Sequence, residues 1–126
     1  MRALSARNRR MPAGLTPRVK VWLEIDGRYV FGLGISEILQ AVQRTGSIKH
    51  AAAALGKSYR YVWGRVKKAE RALGRPLVVT HVGGKGDQRS ALTPVAHQYA
   101  DAFVELRSRV SEFVRDQFIR RFRLPS

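Results

Sequence analysis

The residues most able to do chemistry in this chain are cations set at helical spacing. Between Ser58 and Leu73, the side chains of Tyr59, Arg60, Trp63, Lys67 and Arg71 fall opposite an apolar stripe of Val62, Val66, Ala69 and Leu73. Guanidinium and ammonium groups on one helix face suit nucleic acid. Side chains near the N-terminal end of a recognition helix reach base edges and the others grip phosphates. Arg60 is placed for a bidentate contact to guanine, worth about 1–3 kcal/mol of discrimination. Tyr59 and Trp63 suit thymine methyls or sugars. For Trp63 a packing role is an equal reading, because large aromatics usually have a buried job. Gly64, inside the same helix, costs about 1 kcal/mol relative to Ala. Close approach of a neighbouring backbone or of DNA should compensate for it.

A second basic cluster lies in Gly83-Gly84-Lys85-Gly86-Asp87-Gln88-Arg89. Gly-rich backbone can bring N–H groups close to phosphate, and Lys85 and Arg89 add charge. The spacing is not that of a nucleotide-hydrolysing P-loop, and no strand-loop-helix follows it. His50, His81 and His97 lack metal-ligand spacing, and no catalytic Ser-His-Asp or paired-carboxylate pattern stands out. The expectation is therefore no enzyme, no catalytic residue, no metal and no cofactor.

These residues need elements to hold them. Ser47 is an N-cap for a short helix ending near Leu55, with Ile48, Ala51, Ala52 and Leu55 as its apolar positions. Gly56-Lys57 makes a turn, and the cationic helix runs from Ser58 to about Leu73. The two have helix-turn-helix proportions, although an ordinary helical hairpin has them too. Before them, Ile35 to Arg44 carries Ile35, Ile38, Leu39 and Val42 at i, i+3, i+4 and i+7. Earlier still, Val19, Val21, Leu23 and Ile25 alternate as in a strand, and Asp26-Gly27 signals a hairpin turn into Arg28–Phe31. After the cationic helix, Leu77 to Val82 and Arg89 to Leu92 read as strands flanking the glycine tip. Thr93-Pro94 then starts a helix reaching Phe122. Along it, Ala96, Tyr99, Phe103, Leu106, Val110 and Phe113 are spaced 3 and 4 in alternation, a heptad seam that packs either on the chain's own core or, as the natural cover for so long a helix, on a partner helix.

Composition agrees with this assignment. Lys and Arg number 24 against 9 Asp and Glu, a formal charge of +15, which favours polyanions: nucleic acid first and an anionic membrane surface second. The absence of cysteine excludes disulfides and thiolate metal sites and points to a cytoplasmic protein. No apolar run approaches the roughly 18 residues of a membrane span. Residues 1–17 are Arg-rich and free of acids, which fits a disordered tail, a DNA-binding arm or an organellar transit peptide.

The run from Ser47 to Val78 resembles the N-terminal winged helix-turn-helix of LysR-type regulators: Ser, then Ala-Ala, then Leu-Gly, closing on Glu-x-x-Leu-Gly-x-Pro-Leu. It is more similar still to the DNA-binding domain of the ModE family of molybdate-responsive regulators. Gly46-Ser47-Ile48, Ser58-Tyr59-Arg60 with Trp63, and Gly83-Gly84-Lys85-Gly86 with Leu92-Thr93 carry the match. The resemblance implies a dimeric regulator of molybdate transport or molybdenum-related genes. It puts Ser58, Tyr59, Arg60, Trp63 and Gly64 at recognition positions and Lys85 and Arg89 in the wing. Full-length members of that family carry appended ligand-binding domains. This chain stops at Ser126, so no molybdate-binding domain is expected within it, and a separate molybdate-sensing partner is one option.

The fold expected is mainly α with small β-hairpins (α+β). It comprises a basic tail (1–17), a hairpin and winged helix-turn-helix (18–93) and a dimerisation helix (94–122). The DNA-facing set is Ser47, Lys57, Ser58, Tyr59, Arg60, Trp63, Gly64, Lys67, Arg71, Gly84, Lys85 and Arg89. The hairpin Val19–Phe31 and Tyr99, Phe103, Leu106, Val110 and Phe113 are expected to form a homodimer interface. Two-fold symmetry then implies an inverted-repeat operator in double-stranded DNA. A nonspecific architectural DNA binder and a small-oxyanion sensor are the competing functions.

Overall fold

The computed structural model of the protein describes residues 12–82 and 88–122. The chain divides into two units. One spans Val21–Val104; the other brings residues 12–20 together with helical residues from Glu105 onward.

The larger unit opens with an antiparallel hairpin, β1 (Leu23–Ile25) and β2 (Arg28–Phe31). Its turn has Asp26 at φ 51° and Gly27 at φ 79°, both in the left-handed region that Asp-Gly tolerates. The alternation from Val19 suggests a longer first strand. Pairing begins only at Leu23, because β2 has four residues and the register shifts between Leu23 and Glu24, leaving nothing to pair with upstream residues. Val30 and Phe31 turn inward, while Leu23, Ile25 and Tyr29 stay exposed.

Helix α1 (Leu33–Thr45) begins two residues before the expected Ile35 and holds Gly34 in its first turn. Its stripe of Ile35, Ile38, Leu39 and Val42 is buried. Helix α2 (Ile48–Leu55) lies against it through Ile48 and through Ala51 and Ala52, whose small side chains permit close approach. Gly56 closes α2 at φ 67°, and Ser58 then starts helix α3 (Tyr59–Leu73) by accepting the Tyr61 N–H at 3.0 Å. Val62, Val66 and Ala69 of α3 complete the core. Burial of each large apolar side chain there contributes about 1.5–3 kcal/mol.

Strands β3 (Val78–Val82) and β4 (Gln88–Leu92) form the second hairpin, in register from Val78–Leu92 to Val82–Gln88. The Ser90 N–H donates to the Gly46 carbonyl at 2.8 Å, tying β4 to the turn between α1 and α2. Thr93 donates from its backbone to the Leu77 carbonyl at 3.0 Å, and its hydroxyl accepts from Ala96 N–H to cap helix α4 (Pro94–Phe122). The architecture is a winged helix-turn-helix with a long C-terminal helix, mainly α with two small hairpins.

In the smaller unit, Phe118 is buried and its ring lies 4.8 Å from that of Phe122. The basic segment 1–17, expected as a tail, is described from Pro12 on. The Leu15 N–H donates to the Pro12 carbonyl, and Leu15 to Val19 line a hollow with Arg107, Ser111, Val114 and Phe118. Leu15, Pro17 and Val19 bring apolar area to that hollow. No helix among the described residues is long and apolar enough to cross a membrane.

Candidate nucleic-acid interface

Two ladders of side chains run along α3. In the first, the Tyr59 and Trp63 rings stack, 6.5 Å between centroids and 13° between planes. The Lys67 ammonium sits 4.5 Å from the centroid of Trp63, a cation–π contact. Trp63 is half-buried against the core, and its ring is clamped between a phenol and a cation. In the second ladder, Lys57 and Arg65 both approach the Tyr61 ring, at 5.4 and 5.8 Å, and Arg65 Nη1 donates to the Tyr61 hydroxyl at 2.9 Å. Between the ladders lie Arg60, Gly64 and Arg71, all exposed on the face opposite Val62, Val66 and Ala69.

Glu70 is the acid on this helix. It takes Lys67 at 3.2 Å on one oxygen, and the other accepts the backbone N–H groups of Leu77 and Val78 at 2.8 and 3.1 Å. Helix α3 is thereby fastened to the start of the second hairpin. Sequence reasoning missed this role. The available signal was a lone acid in a cationic helix, a few residues before a strand start whose N–H groups need acceptors.

A second feature is a hollow of about 620 Å³ lined by Thr45, Gly46, Ser47, Ile48, Lys49, His50, Tyr59, Gln88 and Arg89. It joins the start of α2, the start of α3 and the inner strand of the wing. Lys49, His50 and Arg89 are exposed there, so two cations from different elements, Lys49 and Arg89, face one concavity beside the His50 imidazole. Lys49 and His50 were absent from the expected set. Their recruitment depends on the Ser90–Gly46 hydrogen bond that brings β4 alongside, a tertiary contact without a local signature.

Several expected residues fall elsewhere. Ser47 is 6% exposed, and its hydroxyl accepts the His50 N–H at 3.0 Å and meets His50 Nδ1 at 2.6 Å. It serves the N-terminus of α2 rather than offering a free hydroxyl to DNA. Ser58 is exposed, with its hydroxyl engaged in capping α3. Gly84 and Lys85 lie outside the described residues. Phe103, placed by its spacing on a partner-facing seam, is 2% exposed and packs edge-to-face on Phe31 at 5.3 Å; Tyr99 does likewise at 5.9 Å and is half-buried. The chain's own hairpin covers that end of the seam. Further along, Leu106 and Phe113 are exposed, Phe113 at 64%, and Val110 is half-buried.

Comparison with known proteins matches this geometry. The family model described as the bacterial regulatory helix-turn-helix protein, lysR family, matches residues 36–97. The molybdenum transport protein ModE of Herbaspirillum seropedicae is 35% identical over 103 residues, which are 82% of this chain and 36% of that protein. The molybdenum-pterin-binding protein MopB of Rhodobacter capsulatus is 32% identical over 77 residues, 61% of this chain and 28% of its own length. The chain thus spans about a third of the length of the curated relatives it matches. Among solved structures, full-length LysG of Corynebacterium glutamicum superposes with a TM-score of 0.52 at 25% identity, over 68% of this chain and 29% of LysG. ArgP of Mycobacterium tuberculosis gives 0.50 at 23% identity, over 66% and 29%, and attests the fold.

Proposed function

We propose, on the premise that the chain carries a LysR-type helix-turn-helix domain of the ModE-like kind and is a DNA-binding transcriptional regulator, that it reads a specific operator and controls genes of molybdate transport or molybdenum use. One observation carries the DNA reading furthest. The outward face of α3 combines exposed Arg60 and Arg71 with aromatics that the fold already holds in place.

In this reading α3 enters a major groove, with Arg60 at base edges and Lys57, Lys67 and Arg71 toward phosphates. The adjoining hollow receives one strand's backbone: Lys49, His50 and Arg89 supply the donors, and the N-terminal end of α2 adds its dipole. Rigid aromatic and cationic ladders reduce the ordering cost of binding. Two copies of the chain pair through the exposed Leu106 and Phe113 of α4. The exposed Leu23, Ile25 and Tyr29 of the first hairpin offer a second apolar area for a partner. The dimer meets an inverted repeat, with half-sites about one helical turn apart or a multiple of it. Molybdate sensing is assigned to a part or partner other than the described residues.

Selection of bound duplexes from a random pool tests this reading. The expected product is an inverted repeat with defined half-sites. An unstructured pool, with no enrichment over input, would assign the +15 charge to architectural binding instead.

A further inference from the structure

We infer that Gly64 is the point where α3 comes closest to the floor of the major groove, and that its missing side chain sets base preference there. This rests on the DNA-binding reading above. Gly64 lies within a fifteen-residue helix and has no left-handed φ, so its backbone accepts any residue and would favour most of them. Glycine in such a place usually makes room for something close. Among the described residues nothing of this chain is that something: a Cβ built at Gly64 meets no atom within 4 Å. The notch is therefore open to an outside occupant.

Its rim identifies the occupant's chemistry. Arg60, Lys67, Lys68 and Arg71 stand at i−4, i+3, i+4 and i+7 from Gly64 and are all cations, with Tyr61 at i−3 as their neutral neighbour. A second copy of this chain would bring like charges to that rim. A polyanion is the complementary partner. Position 64 also lies at the centre of the outward face, opposite Val62, Val66 and Ala69. In a helix lodged in a major groove, the centre of the outward face meets base edges, while the flanks meet phosphates. Trp63 does not swing across to fill the notch, because Tyr59 stacks on it and Lys67 covers it. Any side chain at 64 would hold the helix away from the bases and lengthen the contacts made by Arg60.

The test uses the full chain as wild type, Gly64→Ala and Gly64→Leu. Each is measured for thermal midpoint, for affinity to the duplex selected by the wild type and to a random-sequence duplex, and for the motif it selects itself. The expected result is an Ala variant that melts about 4 °C higher and loses about tenfold or more in operator affinity. Leu should lose more. Random-duplex affinity should stay within about twofold, and the Ala variant's motif should lose preference at one or two base pairs per half-site. An Ala variant with wild-type operator affinity and motif overturns the inference, as does an equal loss on operator and random duplex. A lower melting point overturns it too, since the fold itself would then need the glycine. In those cases the wild type still prefers its operator. A wild type with no preference would instead sink the DNA-regulator reading on which the inference stands.

Discussion

The Glu70 carboxylate accepts the backbone N–H of Leu77 at 2.8 Å and so joins α3 to the second hairpin. Leu77 is fully buried, and Val78 N–H converges on the same oxygen. Glu70→Ala removes the acceptor from both donors and should destabilise the fold by about 1–3 kcal/mol. Glu70→Gln keeps an accepting oxygen and should cost less. Denaturant unfolding of the two variants measures this. Equal losses would mean that the ion pair with Lys67, rather than the backbone acceptor, is what matters.

The split of the α4 seam predicts opposite phenotypes. Phe103→Ala opens a cavity beside Phe31 and should cost about 3–5 kcal/mol in the protomer. Phe113→Ser changes an exposed side chain and should leave the melting of the protomer within about 0.5 kcal/mol, while shifting sedimentation from dimer toward monomer. A Phe113→Ser protein that sediments as wild type at all concentrations would remove this seam from the dimer proposal.

Arg60 and Arg89 should separate base reading from backbone binding. Arg60→Ala is expected to flatten sequence preference at one position per half-site. Arg89→Ala is expected to weaken all duplexes alike and to lower the slope of log affinity against log salt by about 1. Titrations at several salt concentrations read both effects. Identical, sequence-independent losses would contradict the division of labour between α3 and the hollow.

Ser47 should behave as a structural residue. Ser47→Ala removes the cap of α2 and should cost about 1 kcal/mol. The motif selected by the variant should be that of the wild type, since the hydroxyl is already committed to His50. A changed motif would return Ser47 to the DNA surface.

Much of this fold was readable because its local signals are strong. The apolar spacing of Ile35, Ile38, Leu39 and Val42, the Ser47 cap and the Asp26-Gly27 turn each specify structure within a few residues. What failed to show was tertiary. A heptad pattern states that Phe103 needs cover but not whose, and Phe31 of the same chain supplies it. The Glu70 bridge and the hollow shared by His50 and Arg89 join residues distant in sequence, so no window of a few residues announces them. Trp63 stood evenly between packing and contact, and its surroundings match both readings: the ring is half-buried against the core and lies between Tyr59 and Lys67.

The central claim is that α3 reads sequence, beyond the general attraction of a chain carrying +15. The most direct measurement is a competition titration at one fixed, near-physiological salt concentration, with the selected operator labelled and random-sequence duplex as competitor. The account predicts that the operator binds about 10³-fold or more tightly than random duplex. An affinity ratio near one would contradict it.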